Sequence, residues 1–448
     1  MVAIMPGAWR FYLLFGATAG LFVVALWAAF VLPQPLGWTV GFCYLAYDAW
    51  LSLSLVSATG KVLSQTPTPM TAQWRPTIAV CVASHNECSV LPATLAALQA
   101  QHDCPDAILI LDDGSTDDTK AWLTTAYDIV WETTKGHSRR WPVLTVLGKD
   151  NSGKADTLNR ALPTITTDIV VTIDADTVVA PGAIAAIRAA FACDPELDVG
   201  CGILIPTCRP GISGWLFATY QRLEYLRSFL WRLAWAKAGT LVLVSGALAA
   251  YRASLLREVG GFNGASMAED YELLYRCQAR RLAAGRALHV ALISECVATT
   301  DVPADIPTLL RQRRRWFAGF IATLWHYRWM VGNPSCGPLG RVHLLIKTVD
   351  MLAPLYGLAA FILLIVLICG PGLDPAVIGA LGGKMILDLY LSVWCIRRFI
   401  AWQQPASPHV WWWRGLLAAT TETLCFQPLR HAGAVLGWWA WLTGRWRW

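Results

Sequence analysis

Long apolar runs stand near the beginning of the chain. Residues 11–32 contain no charged side chain, and as a helix they are long enough to cross the roughly 30 Å hydrocarbon core of a bilayer. A weaker run at 36–57 contains Asp48, and Pro33 and Pro35 predict a turn between the two runs. An acid within a span often has a function, although Asp48 could equally lie near the membrane interface. The pattern predicts an N-terminal membrane hairpin.

Basic residues predict the orientation of this hairpin. Arg10 precedes the first run and Lys61 follows the second. We find no A-x-A cleavage pattern at a suitable place, so we expect an anchor and not a removed signal peptide. Because basic residues collect on the cytoplasmic side, we expect a multi-pass protein of the inner (cytoplasmic) membrane with both hairpin ends inside.

The middle of the chain has a different pattern, in which short β-branched runs alternate with helical segments. This alternation predicts an α/β fold, with a Rossmann-like, mostly parallel sheet covered by helices on both faces. Carboxylates follow two of the runs, and ligands of such sheets bind at the carboxyl ends of the strands. The predicted strands lie at 77–84, 107–115, 142–148, 168–176 and 199–205.

The last third of the chain returns to membrane-type patterns. Residues 306–330 are amphipathic, basic and rich in Trp, as expected of a helix lying in the membrane surface. An apolar span follows near 350–370, and a weaker one covers 374–396. The stretch 409–443 is interrupted by charges and Pro428, so it could span, re-enter or lie flat. We predict four segments: a membrane hairpin (1–65), an α/β domain (76–304), an interfacial segment (305–340) and C-terminal membrane or interfacial helices (341–448).

Composition supports a membrane protein. Hydrophobic residues make up 55% of the chain and charged residues 15%, whereas soluble domains carry about 25% charged residues. The net charge of +6 is not grouped like a nucleic-acid footprint, so no nucleic-acid partner is expected. The 13 cysteines form no C-x-x-C pair and the eight histidines no H-E-x-x-H, so any metal must be held by carboxylates.

Two adjacent acids, Asp112 and Asp113, end the second predicted strand. A helix-cap interpretation fits Ser115 or Asp117 but leaves the pair unexplained. Carboxylates at this position can accept hydrogen bonds from a base N–H and from ribose hydroxyls. We therefore predict a nucleoside site here.

The pair Asp174 and Asp176 closes another apolar strand. Where the backbone turns at a strand end, both acids can approach one ion. Mg²⁺ and Mn²⁺ take hard oxygen ligands, including one or two carboxylates with phosphate and water. Asp-x-Asp is a weak pattern alone, and its place at a strand end strengthens the prediction of a metal site.

A third acidic cluster contains Glu269, Asp270 and Glu272. Acids in the first turn of a helix are favoured by its dipole, which suffices for Glu272. Asp270 is better explained as a general base that takes a proton from an attacking sugar hydroxyl.

The basic run Gln312 to Trp316 follows. Lipid contact is an adequate explanation for Arg313 and Arg314. Arg315 can stabilise a departing diphosphate, and Trp316 can stack on the apolar face of a sugar.

In this order, the four elements resemble family-2 glycosyltransferases of the processive synthase type, which make cellulose, hyaluronan, chitin oligosaccharides and poly-N-acetylglucosamine. The resemblance runs from about Thr77 to Phe320. It implies a GT-A fold inserted between transmembrane helices. Each motif is weak alone, but the ordered set ending in Q-x-x-R-W is specific. Residues 244–256 and 311–319 look most like bacterial poly-β-1,6-N-acetylglucosamine synthases, which implies a role in biofilm polysaccharide synthesis.

The resemblance also implies roles for single residues. The set for the nucleotide-sugar is Ser84, Glu87, Asp112, Asp113, Lys154 of the G-K-A element, and Asp174. Metal ligands are Asp174 and Asp176, and the acceptor is held by Ser245, Gly246, Glu269 and Trp316. Catalytic residues are Asp270, Gln312, Arg315 and Trp316. Ala268 replaces the Thr of many T-E-D motifs, which weakens the match only slightly because the hydroxyl is not the base.

The resemblance implies inverting, processive transfer of a sugar, expected to be GlcNAc, from a UDP-sugar into a β-linked polysaccharide, with Mg²⁺ or Mn²⁺. The expected partners are a carbohydrate acceptor, the bilayer and small membrane or export subunits. One alternative is single transfer to a lipid such as a ceramide or polyprenyl phosphate. Others are a transporter with a nucleotide sensor, which usually shows repeated spans, and a scaffold, which would have lost the base or the D-x-D.

Overall fold

The computed structural model describes residues 7–60, 74–405 and 407–445. Lys61, used above for orientation, lies outside the described residues. The described chain forms two compact units. The first contains 7–60, 208–240 and 303–445 apart from residue 406, and the second contains 74–207 and 241–302.

The second unit is built on one ten-stranded sheet. Its strands are β1 (Ile78–Ser84), β2 (Ala107–Asp113), β3 (Ile129–Glu132), β4 (Lys135–Ser138), β5 (Leu144–Lys149), β6 (Ile169–Asp174), β7 (Val178–Val179), β8 (Val199–Thr207), β9 (Leu248–Arg252) and β10 (Val290–Asp301). Its helices are α3 (Leu91–Gln99), α4 (Thr119–Tyr127), α5 (Lys154–Ala161), α6 (Ala183–Cys193), α8 (Ala253–Glu258) and α9 (Glu269–Ala283). The strand order is β3-β4-β5-β2-β1-β6-β9-β8-β10-β7.

The prediction of an α/β fold with a mostly parallel sheet is confirmed. Strands β5, β2, β1 and β6 are parallel neighbours, and their apolar side chains are almost wholly buried. The register pairs Ser84 with Asp112, Ala83 with Asp174, and Asp113 with Lys149. The polar residues that end these strands therefore lie along one edge of the sheet.

Several elements of this unit were not predicted. The hairpin of β3 and β4 has only four residues in each strand, and β9 runs antiparallel between β6 and β8. Strand β10 pairs with β8 along its length but is interrupted by a register shift between Leu292 and Val297. Short or interrupted strands give a weak local signal because their partners lie far away in the sequence.

The first unit is helical. Its helices are α1 (Trp9–Val31), α2 (Thr39–Gly60), α7 (Ile212–Lys237), α10 (Ile306–His326), α11 (Leu344–Cys369), α12 (Pro375–Gln403) and α13 (Pro408–Leu442). Among the described residues, four segments are long and apolar enough to cross a membrane: Trp9–Val31, Leu36–Gly60, Leu339–Cys369 and Pro375–Gln403. Each of the four predicted spans is thus a helix of sufficient length and apolar character, and the stretch of unsettled type is a single helix, α13.

Helix α7 is the main difference from the predicted segments. It lies within the predicted 76–304 domain but belongs to the helical unit. Its buried Tyr220, Leu223 and Leu226 share an apolar cluster with Phe426 of α13. These residues form an apolar face of α7 that packs on α13. The sequence did not predict this packing, because α7 lies between strands of the α/β domain in the chain.

Several charged residues of the first unit are paired with one another across its helices. Asp48 of α2 forms an ion pair with Lys384 of α12 at 2.6 Å, and Asp388 contacts the same ammonium. Glu422 of α13 pairs with Arg227 of α7 at 2.6 Å and with Arg430 at 3.2 Å. Such pairing is what low-dielectric surroundings require of charges within helical bundles.

Candidate active site

Two loops at the sheet edge are joined around Asn86. Its side-chain oxygen accepts hydrogen bonds from the backbone amides of Thr116 at 2.7 Å and Asp117 at 3.2 Å. The Asp117 carboxylate accepts from the amide of Thr119, the first residue of α4, at 3.0 Å, although the N-cap position itself is occupied by Asp118. Ser115 instead accepts from the Asn86 amide at 2.9 Å. The loop after β1 and the loop after β2 therefore form one surface.

The predicted nucleoside acids differ in their surroundings. Asp112 accepts a hydrogen bond from the Ser115 amide at 3.1 Å. Asp113 accepts from the amides of Ser152 and Gly153, each at 2.9 Å, and from the Lys149 ammonium. Burial alone would raise the pKa of the Asp113 carboxyl, but Lys149 and these amides hold it below its usual value. Asp113 is thus bound to the G-K-A loop.

Lys154, the first residue of α5, lies at the D-x-D element. Its ammonium contacts the Asp174 carboxylate and lies 3.7 Å from Glu269 Oε1. Burial alone would lower the pKa of Lys154, but the charges of Asp174 and Glu269 outweigh it and raise the pKa. One cation thereby connects two of the predicted acidic motifs.

Asp176 and Glu87 complete the acidic centre. Burial, together with the charge of Asp174, raises the pKa of Asp176 to about 6. Its Oδ1 accepts from the hydroxyls of Thr177 at 3.2 Å and Thr300 at 3.3 Å. Burial also raises the pKa of Glu87, and the charges of Asp176 and Asp174 add to that shift. Several carboxylates therefore concentrate negative charge here.

Asp270 stands in the first turn of α9 beside the predicted acceptor segment. Its Oδ2 accepts a hydrogen bond from the Gly246 amide at 2.7 Å. Burial raises the pKa of the neighbouring Glu269, with Asp270 adding to the shift and Lys154 opposing it. Glu272 also lies in the first turn of α9, and it pairs with Arg276 at 2.9 Å.

The loops thus bring most of the predicted site residues together within the second unit. Gln312, Arg315 and Trp316 belong to α10 of the first unit. The described part of the chain offers the buried Gln312 Oε1 no hydrogen-bond partner. Ser84 Oγ in the second unit is likewise buried without one among the described residues.

Trp316 lines a cavity of roughly 270 Å³ inside the first unit. Its walls combine aromatic rings, including those of Tyr44 and Tyr47, with polar groups such as Asp350 and Gln427. The volume is near the lower end of the range for small-ligand pockets.

Arg313 corrects the lipid-contact interpretation of the basic run. Its guanidinium lies 4.6 Å from the centre of the Trp316 ring and pairs with Glu224 at 2.7 Å. Only 12% of its side chain is exposed. Its partner Glu224 stands 89 residues away in the sequence, so no local pattern identified the pair.

Comparison with known proteins decides the family. The model of the glycosyltransferase like family 2 matches residues 76–319, which is more than half of the chain. The chain belongs to this family. The match covers every motif from β1 to Q-x-x-R-W.

This family-2 glycosyltransferase is similar to poly-beta-1,6-N-acetyl-D-glucosamine synthases, as the sequence motifs suggested. It is 26% identical over 248 residues to that of Staphylococcus epidermidis and 25% identical over 243 residues to that of Staphylococcus aureus (strain COL). Each alignment covers 54% of this chain and 54% of the relative. The chain therefore spans about half the length of the curated relatives it matches.

A solved structure confirms the GT-A fold. The mannosyltransferase PcManGT from Pyrobaculum calidifontis, in complex with GDP-Man and Mn²⁺, is similar with a TM-score of 0.57 and 20% identity. The similarity covers 90% of this chain and 99% of that chain. At this identity the likeness establishes the fold.

The D-x-D element of this family-2 glycosyltransferase fits a divalent cation. Within the described residues, no three His, Cys, Asp or Glu side chains group as a complete protein-made metal site. The negative charge of Asp174 helps to raise the pKa of Asp176, and a bound cation would offset this repulsion. Two carboxylates are also what Mg²⁺ or Mn²⁺ uses when phosphate oxygens and water supply the other ligands.

Two contributing residues were missed at the sequence level. Lys149 ends β5 as an ordinary strand-terminal lysine, and its buried partner Asp113 lies 36 residues earlier. Thr300 reaches Asp176 from β10, 124 residues later. Only the sheet register brings either pair together, so local pattern carried no signal for them.

Proposed function

We propose that this glycosyltransferase is an inverting, membrane-embedded enzyme that transfers GlcNAc from a UDP-sugar to a β-linked polysaccharide. One observation carries the proposal: the Lys154 ammonium contacts Asp174 of the D-x-D and lies 3.7 Å from Glu269, the residue before Asp270. Groups suited to bind a diphosphate and a carboxylate suited to accept a hydroxyl proton therefore belong to one edge of the sheet.

Support for the donor comes from the comparisons. The similar staphylococcal enzymes are named for a poly-N-acetylglucosamine product, and the similar archaeal structure holds a nucleotide-sugar with Mn²⁺. We infer that Asp112 accepts a hydrogen bond from the base, since its position at the end of β2 suits that contact. Ser84 and Glu87 line the same loop surface.

The donor's diphosphate would lie at Lys154. Its ammonium is positioned to exchange Asp174 for a phosphate oxygen when the donor binds. Mg²⁺ or Mn²⁺ held by Asp174 and Asp176 would offset the charge of the diphosphate as it leaves. Cationic groups aimed at developing charge are the main source of catalysis in such transfers.

The transfer is a single displacement. Asp270 takes the proton of an acceptor hydroxyl as that oxygen bonds to the anomeric carbon of the donor sugar. The bond from that carbon to the diphosphate oxygen breaks, and UDP leaves with the electron pair. Attack from the face opposite the leaving group converts an α-linked donor into a β linkage. The Gly246 amide contacts the base, and we assign Gly246 and the preceding Ser245 to the acceptor.

The cavity beside Trp316 supports a saccharide acceptor. Aromatic faces next to hydrogen-bonding groups suit sugar rings, which have apolar faces and polar edges. We assign Gln312, Arg315 and Trp316 to the acceptor and leaving-group side of the reaction. We further propose that chain extension is processive and that the spans guide the product outward, with export subunits as partners.

We place the enzyme in the inner membrane, with the α/β unit in the cytoplasm. Nucleotide-sugars are cytoplasmic metabolites, so a donor site on that side is required. The basic residues beside the spans agree with this orientation.

Purified full-length protein in detergent or vesicles tests the proposal. UDP release is measured with UDP-GlcNAc, other UDP-sugars and GDP-mannose, with Mg²⁺ or Mn²⁺, and product length is resolved by electrophoresis. We expect UDP-GlcNAc to be consumed and a long polymer to form. Transfer of one sugar to a lipid would favour the non-processive alternative, and consumption of GDP-mannose alone would refute the UDP assignment.

A further inference from the structure

A buried ion pair joins the carboxyl ends of β2 and β5. Lys149, the last residue of β5, lies opposite Asp113, the last residue of β2, and the two side chains are in contact. The Lys149 side chain is 3% exposed and that of Asp113 is 9% exposed. Burying two charges is costly unless further hydrogen bonds satisfy both groups. We therefore expect this buried ion pair to have a structural or functional role that an apolar pair could not fulfil.

Both members of the pair are bound to the loop that precedes Lys154. Asp113 accepts the amides of Ser152 and Gly153 with its two carboxylate oxygens, each at 2.9 Å. The Lys149 ammonium donates to the Asp150 carbonyl at 3.0 Å and to the Ser152 hydroxyl. Four contacts thus hold a loop of only four residues between β5 and α5.

The loop needs this support because of its backbone shape. Gly153 has φ of 97°, which an L side chain rarely adopts, and Lys154 follows it as the first residue of α5. Gly114 approaches the same loop so closely that a Cβ there would lie 2.7 Å from the Asn151 amide nitrogen. The position of the Lys154 side chain therefore depends on contacts made by the residues just before it.

Asp112 provides the contrast. Among the described residues it accepts one protein hydrogen bond, from Ser115, whereas Asp113 has both carboxylate oxygens occupied. Asp113 makes three contacts with the loop and the strand that precedes it, one of them with the buried Lys149 ammonium, so its side chain is held by protein partners to a greater extent than that of Asp112. The two adjacent acids therefore differ in what they can do.

We propose that Lys149 and Asp113 are positioning residues that hold the loop 150–153 so that Lys154 meets the donor's diphosphate, and that Asp112 is the acid that contacts the base. This assignment rests on the proposed function. It differs from the sequence-based prediction, in which both acids bind the nucleoside.

Binding of UDP and of uridine to the full-length protein separates these roles. UDP affinity is measured by calorimetry with Mn²⁺, and uridine binding by ligand-observed NMR. In Lys149→Met and Asp113→Asn we expect UDP affinity to fall about tenfold, because positioned charged hydrogen bonds are lost, while uridine binding is kept. Lys149→Arg should restore most of the UDP affinity.

Control variants make the test specific. Lys120→Met removes an exposed lysine of the same unit, which lies over the Trp131 ring, and should leave UDP affinity unchanged. Asp112→Asn should weaken uridine and UDP alike. Because the Lys149 contacts and those of Asp113 form one unit, the double variant should lose little more UDP affinity than either single variant.

Two results with the variants would overturn the proposal. Loss of uridine binding in Asp113→Asn would make Asp113 a base ligand. Equal loss of uridine and UDP binding in Lys149→Met, without rescue by Arg, would indicate general disruption of the fold. If the wild-type protein binds GDP and guanosine in place of UDP and uridine, the affinities of GDP and guanosine are compared in the same variants. In that case the UDP assignment is wrong, and the roles of Lys149 and Asp113 are tested with GDP. Binding of neither nucleotide would refute the proposed function as well.

Discussion

The backbone amide of Gly246 donates a hydrogen bond to the Asp270 carboxylate at 2.7 Å. The two residues belong to different motifs, and the contact orients one carboxylate oxygen while the other accepts from the Tyr271 amide at 2.8 Å. A general base must be held in a fixed geometry relative to the hydroxyl it deprotonates. The proposed acceptor segment therefore helps to orient the proposed base.

Replacing the base tests its role directly. In Asp270→Asn the side-chain oxygen can still accept from the Gly246 amide, and only the hydrogen bond from the Tyr271 amide is lost, so we expect the local fold to persist. We expect transfer to fall by at least about 10²-fold because proton removal is lost. UDP release under saturating donor gives the rate, and calorimetry should show UDP affinity nearly unchanged. Loss of UDP affinity would refute the base assignment.

Gly246→Ala tests the orientation of the base. The added Cβ would lie 3.2 Å from Asp270 Oδ2 and 3.3 Å from Asp270 Cβ, so the carboxylate must shift by a few tenths of an ångström. We expect turnover to fall about tenfold, since small displacements of reacting groups slow catalysis. Gly264→Ala, which meets nothing within 4 Å, is the matched control. Equal turnover in the two variants would show that the contact is not needed.

The sequence predicted what depends on local pattern. Runs of β-branched residues ended by acids predicted β2 and β6, and apolar length predicted the spans. Pairings between distant segments were out of reach. The interrupted α13 is continuous because Glu422 and Arg430 find partners on α7, and Lys149 gains its role only through its register with Asp113. The residues next to each of these positions in the sequence do not indicate which distant residue it contacts.

Removing divalent cations should weaken donor binding. With a chelator present we expect UDP affinity to fall at least about tenfold, because the diphosphate would face Asp174 and Asp176 without a compensating cation. Asp176→Asn should give the same loss with Mn²⁺ present, whereas Asp194→Asn, at an exposed helix end, should not. Calorimetric titration of UDP measures both effects. Unchanged affinity with chelator would argue for a metal-independent donor site.

An ion-pair network far from the active site should govern acid stability. Arg188 lies 2.6 Å from Asp103 and 2.9 Å from Asp106. Burial alone would raise the pKa of Asp106, but the Ile78 amide and Arg188 hold it below its usual value.

A carboxyl with a lowered pKa stabilises the fold above its unfolded pKa of about 3.9 and loses that contribution as pH falls through its folded pKa. We therefore expect Asp106→Asn to lower the melting temperature at pH 7. The difference from wild type should shrink as pH falls below about 4. Thermal melts across pH in detergent measure it. A difference independent of pH would mean that the charge of Asp106 is not responsible.

Trp316 should control product length. Its ring lines the cavity of the first unit beside Tyr44 and Tyr47, where an indole can stack on a sugar. In Trp316→Ala we expect the apparent affinity for an added oligosaccharide acceptor to fall by up to about tenfold, which corresponds to the free energy of one aromatic contact. We also expect a shorter polymer. Trp316→Phe should retain most of the activity, and Trp439→Ala, at a position that is 62% exposed, should resemble wild type. Acceptor titrations and electrophoresis of the product measure these effects. If Trp316→Ala still makes polymer of wild-type length, the growing chain does not bind in this cavity, because loss of the indole would then have no effect on chain growth.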